Sequence, residues 1–276
     1  MFDTHCHLNF SRFKDIASDV VLRAEQSGVK GMLIPGTDFV TSKKAIEIAH
    51  NYKNIYVAIG IHPHHAFALQ EKGHEGISEN IEMLESLITE QKVVAIGEIG
   101  LDKHIYLKTK YGIRQVDREL LALQKELLVA QMDLALTYKK SLILHNWEAK
   151  EEILAILSNR WDRRFERRSV FHCCEPDMDL LEFAHDHKMF IGVDGDVTYD
   201  KKKEEFIKKV PLDSLVLETD SPYLLPEPLR SQKKYPNEPS NLFVIAQYIA
   251  KVLSIDVDEI IRKTTENAQI LFSLSS

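Results

Sequence analysis

The chain has 276 residues, enough for two ordinary domains of about 150 residues or for one α/β barrel of roughly 250. Apolar residues make up 44% and charged residues 28%, so a sizeable core can form and global disorder is excluded. The 35 Lys and Arg against 42 Asp and Glu leave a net charge of −7, which argues against gripping nucleic acid by bulk charge.

The 3 cysteines, with Cys173 and Cys174 adjacent, make no disulfide framework and point to a reducing, cytoplasmic setting. The start Met1-Phe2-Asp3-Thr4-His5 lacks the basic and apolar regions of a signal peptide. No apolar run approaches the roughly 18 residues of a membrane span. The expectation is a soluble protein with no membrane association and no obligate protein partner.

In chain order, short apolar runs alternate with longer stretches of helical periodicity. A strand is predicted at Phe2–Asp3 and a helix at Ser11–Ser27, then Gly31–Pro35 and Ser42–Asn51, Ile55–Ile61 and Ile77–Gln91. Val93–Ile99 precedes the helix Arg118–Lys139, and Ser141–His145 precedes Ala149–Ser158. Ser169–His172, Met189–Val193 and Ser214–Glu218 complete the strands, and Leu242–Leu253 reads as a late helix. Most strands are aliphatic on both faces, as in a parallel sheet covered on both sides. Glu25, Glu47 and Glu85 dot the polar helix faces.

Eight such strands predict a (β/α)8 TIM barrel, with residues 1–276 as one domain. An open doubly wound sheet fits less well, because neither a Gly-x-Gly-x-x-Gly fingerprint nor a phosphate-binding Gly-x-x-x-x-Gly-Lys-Ser/Thr loop is present.

In a barrel the chemistry sits at the C-terminal strand ends. Those ends carry His5, His7, His62, Glu98, His145, His172 and Asp220. Strand alternation points His5 and His7 one way and Cys6 the other. Paired imidazoles at a barrel mouth suit zinc, manganese or nickel. A single buried histidine is more often a packed, hydrogen-bonded residue. Six strand ends presenting His, Glu or Asp resist that explanation, since buried charge costs several kcal/mol unless paired or metal-bound.

Asp3-Thr4-His5-Cys6-His7-Leu8, Gly60-Ile61-His62-Pro63, Gly97-Glu98-Ile99-Gly100-Leu101-Asp102, His145, His172-Cys173 and Glu218-Thr219-Asp220-Ser221-Pro222-Tyr223 occur in the order of the TatD family. The chain resembles these metal-dependent deoxyribonucleases and related hydrolases from its first residues to Asn267. The resemblance implies two divalent ions (zinc, manganese or magnesium), with His5, His7 and Asp220 on one, His145 and His172 on the other, and Glu98 bridging. It implies a catalytic role for Asp220 as general base beside Glu98, and DNA as the substrate. His62, in the family's Gly-x-His-Pro, would donate to a phosphate, or pack as a supporting histidine. Arg230 matches an arginine of the family's loop after the eighth strand and would also bind phosphate.

The chain departs from this pattern in several places. An arginine usual shortly after the fifth-strand histidine is missing from His145-Asn146-Trp147-Glu148. Trp147 would offer a stacking surface for a base, although a core position is the commoner fate of tryptophan. Asp194 and Asp196 stand where a small polar pair is usual; solvation or helix capping is the simpler expectation. An insertion of about ten residues between Asp102 and Gln124 holds Lys103, His104, Lys108, Lys110 and Arg114. The basic segment Arg160–Arg168 is expected as a solvated turn at the opposite face, and Cys174 as a small buried hydrophobe.

These departures leave the ligands in place and open the substrate. Alternatives are a hydrolase of a small ester, amide or lactone, an aminoacyl-tRNA deacylase, and a catalytically silent binding barrel.

Overall fold

The computed structural model of the chain describes residues 1–70, 72–109 and 112–274. Its strands are β1 (Phe2–Asp3), β2 (Gly31–Pro35), β3 (Ile55–Ile59), β4 (Val93–Asp102), β5 (Tyr106–Thr109), β6 (Gly112–Arg114), β7 (Ser141–Trp147), β8 (Ser169–Phe171), β9 (Phe190–Val193) and β10 (Leu215–Leu217). Its α-helices are α1 (Ala17–Gln26), α2 (Phe39–Ala49), α3 (Gly73–Glu85), α4 (Arg118–Tyr138), α5 (Lys150–Arg160), α6 (Met178–Asp186), α7 (Lys201–Ile207), α8 (Leu242–Leu253) and α9 (Val257–Leu271).

Among the described residues, eight strands pair in parallel in the order β1-β2-β3-β4-β7-β8-β9-β10. The ends meet just beyond β1 and β10: Thr4 N donates to Leu217 O (3.0 Å), Asp220 N to His5 O (2.9 Å) and His7 N to Ser221 O (2.8 Å). The result is the (β/α)8 barrel read from the alternation of runs. No single helix among the described residues is long and apolar enough to cross a membrane.

The helix boundaries shift where capping chemistry decides them. The α2 helix starts at Phe39, earlier than its apolar pattern suggests, because Asp38 and Thr41 form a capping box (Thr41 N to Asp38 Oδ1, 2.7 Å). Residues Ser11–Phe13 form a 3-10 turn, so α1 is shorter than predicted. The insertion after Asp102 contains the antiparallel hairpin β5–β6, which local periodicity does not predict. Lys110 lies outside the described residues, as do the side chains of Lys108 and Arg114.

One inward residue per barrel strand builds the interior: Phe2, Leu33, Ala58, Ala95, Ile143, Val170, Phe190 and Val216. The end of α9 closes the base with Ala268, Leu271 and Phe272. Each buried Leu, Ile, Val or Phe contributes about 1.5–3 kcal/mol of transfer energy. Side chains on one strand face recur every second residue. Two positions beyond this apolar layer come His145 on β7, His172 after β8 and Glu218 after β10. The apolar layer is thus the floor on which the ionisable residues stand.

Strands β4 and β7 both run past their predicted ends, pairing Gly100 with His145, Leu101 with Asn146 and Asp102 with Trp147 after a register shift. This extension sets Asp102 beside the mouth. It requires glycine at position 100, whose φ is +152° and whose added Cβ would overlap the backbone of His145. Gly100→Ala should therefore lose about 2–3 kcal/mol of stability in urea denaturation. A loss below about 0.5 kcal/mol, the usual range of a neutral surface change, would show that the two strands need no close approach there.

Candidate metal centre

Glu98, 4% exposed and midway along β4, stands at the middle of the mouth. Its Oε2 faces His5 Nε2 at 3.4 Å and His7 Nε2 at 3.7 Å. Its Oε1 faces His145 Nδ1 at 2.9 Å, His62 Nε2 at 3.3 Å and His172 Nε2 at 3.8 Å. The two oxygens of one carboxylate are thus divided between two groups of nitrogen donors.

Asp220 completes the first group, with Oδ1 at 3.8 Å from His5 Nε2 and 3.4 Å from His7 Nε2. The two Nε2 atoms are 3.2 Å apart. Ligands held at 2.0–2.2 Å around a tetrahedral ion lie about 3.3–3.6 Å from one another, so these separations fit such an ion. The Nδ1 atoms of His5 and His7 are buried without a hydrogen-bond partner, so their Nε2 atoms carry the polar contacts of both rings. Asp220 itself adopts a left-handed backbone (φ +47°), an uncommon conformation for a non-glycine residue.

In the second group, two further carboxylates set the imidazoles. Glu218 Oε1 is 3.0 Å from His172 Nδ1, which leaves Nε2 to face Glu98. Asp102 Oδ2 is 3.2 Å from His145 Nε2, which turns Nδ1 toward Glu98. A carboxylate behind a histidine fixes its orientation and raises its basicity as a ligand. Glu218 has room because Gly192 stands opposite, where a Cβ would collide with its carboxylate. Glu218 also accepts from Cys173 N at 2.5 Å. Neither Asp102 nor Glu218 was assigned a role from sequence. For Glu218 a signal was present, since it follows Val216 by two residues on one strand face, whereas Asp102 lies beyond the predicted strand end at Ile99.

The protonation states follow these contacts. Burial works against ionisation of Glu98, yet His62, His145 and His5 hold its carboxyl well below the usual range. Burial and the neighbouring His172 push His5 down, favouring a neutral donor. For His145 burial opposes the charge, but Asp102 and Glu98 outweigh it and raise the ring to about 9. Glu218 outweighs burial in the same way and raises His172 to about 10. A cation at these two rings has to displace their protons, so its affinity falls as pH is lowered.

His62 differs from the other rings. Its Nδ1 accepts from His64 N at 3.1 Å, and burial drives its pKa down to about 3. A neutral ring with an accepting Nδ1 carries its proton on Nε2, so His62 presents an N–H donor toward Glu98. Arg230, in the loop after β10, lies over the Tyr199 ring (4.2 Å to the centroid) and 3.5 Å from Glu227 Oε1, with its side chain 47% exposed.

Two expectations from sequence are corrected here. Trp147 is not a core residue: it is 42% exposed and stacks on His104, because β7 continues outward past His145. Asp194 and Asp196 are not solvated, although capping holds for Asp194. Asp194 is fully buried, caps the turn Gly195–Thr198 and accepts from Asp196 N at 3.1 Å, while Asp196 pairs with buried Lys203 Nζ at 2.6 Å. Cys173, rather than Cys174, meets this cluster, its Sγ 3.2 Å from Lys203 Nζ. Cys174 is a small buried residue, as expected. In the basic segment Arg163 and Arg164 are exposed, the latter paired with Asp162 at 2.7 Å.

Glu218→Gln should weaken binding of the cation beside His172 by about 10- to 100-fold while leaving the chain folded. Metal retained on dialysis against graded chelator reads this directly, and an unchanged retention would remove Glu218 from the centre.

The TatD related DNase family model matches residues 2–273. An uncharacterized metal-dependent hydrolase of Bacillus subtilis, YabD, is 32% identical over 277 residues, covering 100% of both chains. A protein of Erwinia amylovora named 3′–5′ ssDNA/RNA exonuclease TatD is 33% identical over 279 residues, 99% of this chain and 100% of the relative. The crystal structure of YJJV, a TatD homologue of Escherichia coli K12, superposes with a TM-score of 0.84 at 28% identity, over 100% of this chain and 98% of that one. With a barrel of this topology, a histidine and carboxylate ring at its mouth and a family match across nearly its whole length, the chain belongs to the TatD related DNase family of metal-dependent hydrolases.

Proposed function

We propose that the chain is one barrel domain that hydrolyses DNA phosphodiester bonds with two divalent cations, zinc, manganese or magnesium. His5, His7 and Asp220 would hold one cation, His145 and His172 the other, and Glu98 both. The observation that carries this reading is the division of the Glu98 oxygens between the two groups of imidazoles. The exonuclease name borne by the Erwinia amylovora relative supports the substrate class. The free thiols of Cys6, Cys173 and Cys174 support a reducing cytoplasmic setting.

When bound, the cations supply a water of lowered pKa and neutralise charge on the phosphoryl oxygens. The remaining roles belong to the chain. Asp220, partly exposed and fixed by its N–H to His5 O, orients the attacking water through one carboxylate oxygen and takes its proton. His62 offers its Nε2–H to a non-bridging phosphoryl oxygen, at no cost of deprotonation because the ring is neutral. Glu98 stays ionised throughout, balancing the positive charge around it. Arg230 meets a phosphate farther along the strand, leaving Glu227 to do so.

A hydrolase of a small ester or lactone is the second reading, motivated by the missing arginine after His145 and the acids at 194 and 196. The ion pair of Lys203 with Asp196 removes much of the repulsion on which that reading relied.

Asp220→Asn should reduce metal-dependent cleavage of a single-stranded DNA oligonucleotide by about 10³-fold or more, because it removes a ligand and the base together. Chelator-treated wild type should be inactive until cations return. Turnover comparable to wild type in the variant would sink the mechanism, and a fully metallated protein inert on DNA but active on small esters would favour the second reading. Arg230→Ala should raise KM for the oligonucleotide about fivefold, the modest value of a half-exposed charge contact, with kcat little changed. An equal rise for a small neutral ester would take Arg230 away from the phosphate.

A further inference from the structure

A run of rings leads outward from His145 and His62, and its outer members His64, Tyr106 and Trp147 are not used by the hydrolytic steps. The centroids of His145 and His62 are 4.4 Å apart, those of His62 and His64 4.5 Å, those of His64 and Tyr106 4.7 Å, and those of Tyr106 and Trp147 6.0 Å. Asp102 ties the run to the centre. Its Oδ2 accepts from Tyr106 OH at 2.8 Å and lies 3.2 Å from His145 Nε2 and 2.7 Å from His64 Nε2.

At the outer end Trp147 lies over His104, with centroids 4.6 Å apart and planes within 24°. His104 is itself held by Glu148 (Nδ1 to Oε1, 2.8 Å), and Tyr106 meets the indole edge-on at 73°. The indole is therefore braced on one side and yet 42% exposed. Along β7 it stands two residues, about 6.6 Å, beyond His145. A surface of this kind, continuous with a phosphodiester centre, matches one chemical group in particular. Every nucleobase has a π-face, and stacking on an aromatic side chain holds a strand without reading its sequence.

Resting on the nuclease reading above, we propose that Trp147, braced by His104 and Tyr106, is the stacking platform for the nucleobase next to the scissile phosphate. The platform selects unpaired strands, because a base within a duplex has both faces covered by its neighbours and must leave the stack to reach the indole. Trp147 also stands close to where an arginine is usual after the fifth-strand histidine, so the platform offers an aromatic face in place of a charge. Binding then depends less on salt than an arginine contact would.

The test uses the metal-loaded protein and two single-stranded oligonucleotides that differ at one nucleotide. One is intact and the other carries an abasic sugar, placed in turn at each of the two terminal nucleotides. For wild type, kcat/KM on the intact strand should exceed that on the abasic strand by roughly 5- to 100-fold, mostly through KM. In Trp147→Ala that ratio should fall to near one, and Trp147→Phe should keep most of it. Overturning results are a wild type indifferent to the missing base at every position, or a ratio that Trp147→Ala leaves intact. Failure of metal-loaded wild type to cleave either strand would remove the nuclease reading and the platform with it.

Discussion

The carboxylate of Glu98 lies within 3.8 Å of ring nitrogens of His5, His7, His62, His145 and His172 while nearly removed from water. Burying a charge on this scale costs several kcal/mol unless opposite charge or a cation stands close by. Much of the mouth meets that requirement. Asp102 and Glu218 raise the affinity of His145 and His172 for a positive charge, whether a proton or a metal, and His62 remains neutral with an N–H turned inward. The glycines at 100 and 192 belong to the same constraint, since each leaves space that a side chain would take from His145 or Glu218.

The barrel supplies the coordinate frame for this charge balance. A two-residue step along a strand moves from the apolar interior layer to the layer of the donors, on β7, β8 and β10 alike. The floor beneath the centre is therefore dry and close-packed, which strengthens the electrostatic interactions above it. The donors come from segments far apart in sequence, and the stiffness of the parallel sheet keeps their nitrogens and oxygens at ligand-like separations.

Other features are added around that frame. Trp147 and the β5–β6 hairpin form one rim, where an extended β7 carries a tryptophan outward instead of into the core. On the rim of β9, Lys203 neutralises Asp196 from within, so an acidic pair that looks hostile to phosphate is held as a buried ion pair. On the reading proposed above, the chain keeps a hydrolytic centre at the mouth while the surface around it differs from the family pattern.

The alternation of apolar runs with helical periodicity determined the barrel, because both faces of each parallel strand are covered and only aliphatic runs tolerate that. The order and residue types of His5, His7, Glu98, His145, His172 and Asp220 likewise determined which side chains gather at its mouth, since strand ends in a barrel share one face. Other features depended on distance. Asp102 and Glu218 become partners of His145 and His172 only once β4 meets β7 and β8 and β10 flank β9. Trp147 becomes a surface residue only because the β4–β7 ladder continues past His145, and Asp196 is paired within the fold only because Lys203 reaches it from α7. Periodicity and motif order are local properties that a linear chain displays. The pairing of buried charges and the exposure of a ring depend on neighbours that sequence keeps tens of residues away, and tertiary packing alone brings them within a few ångströms.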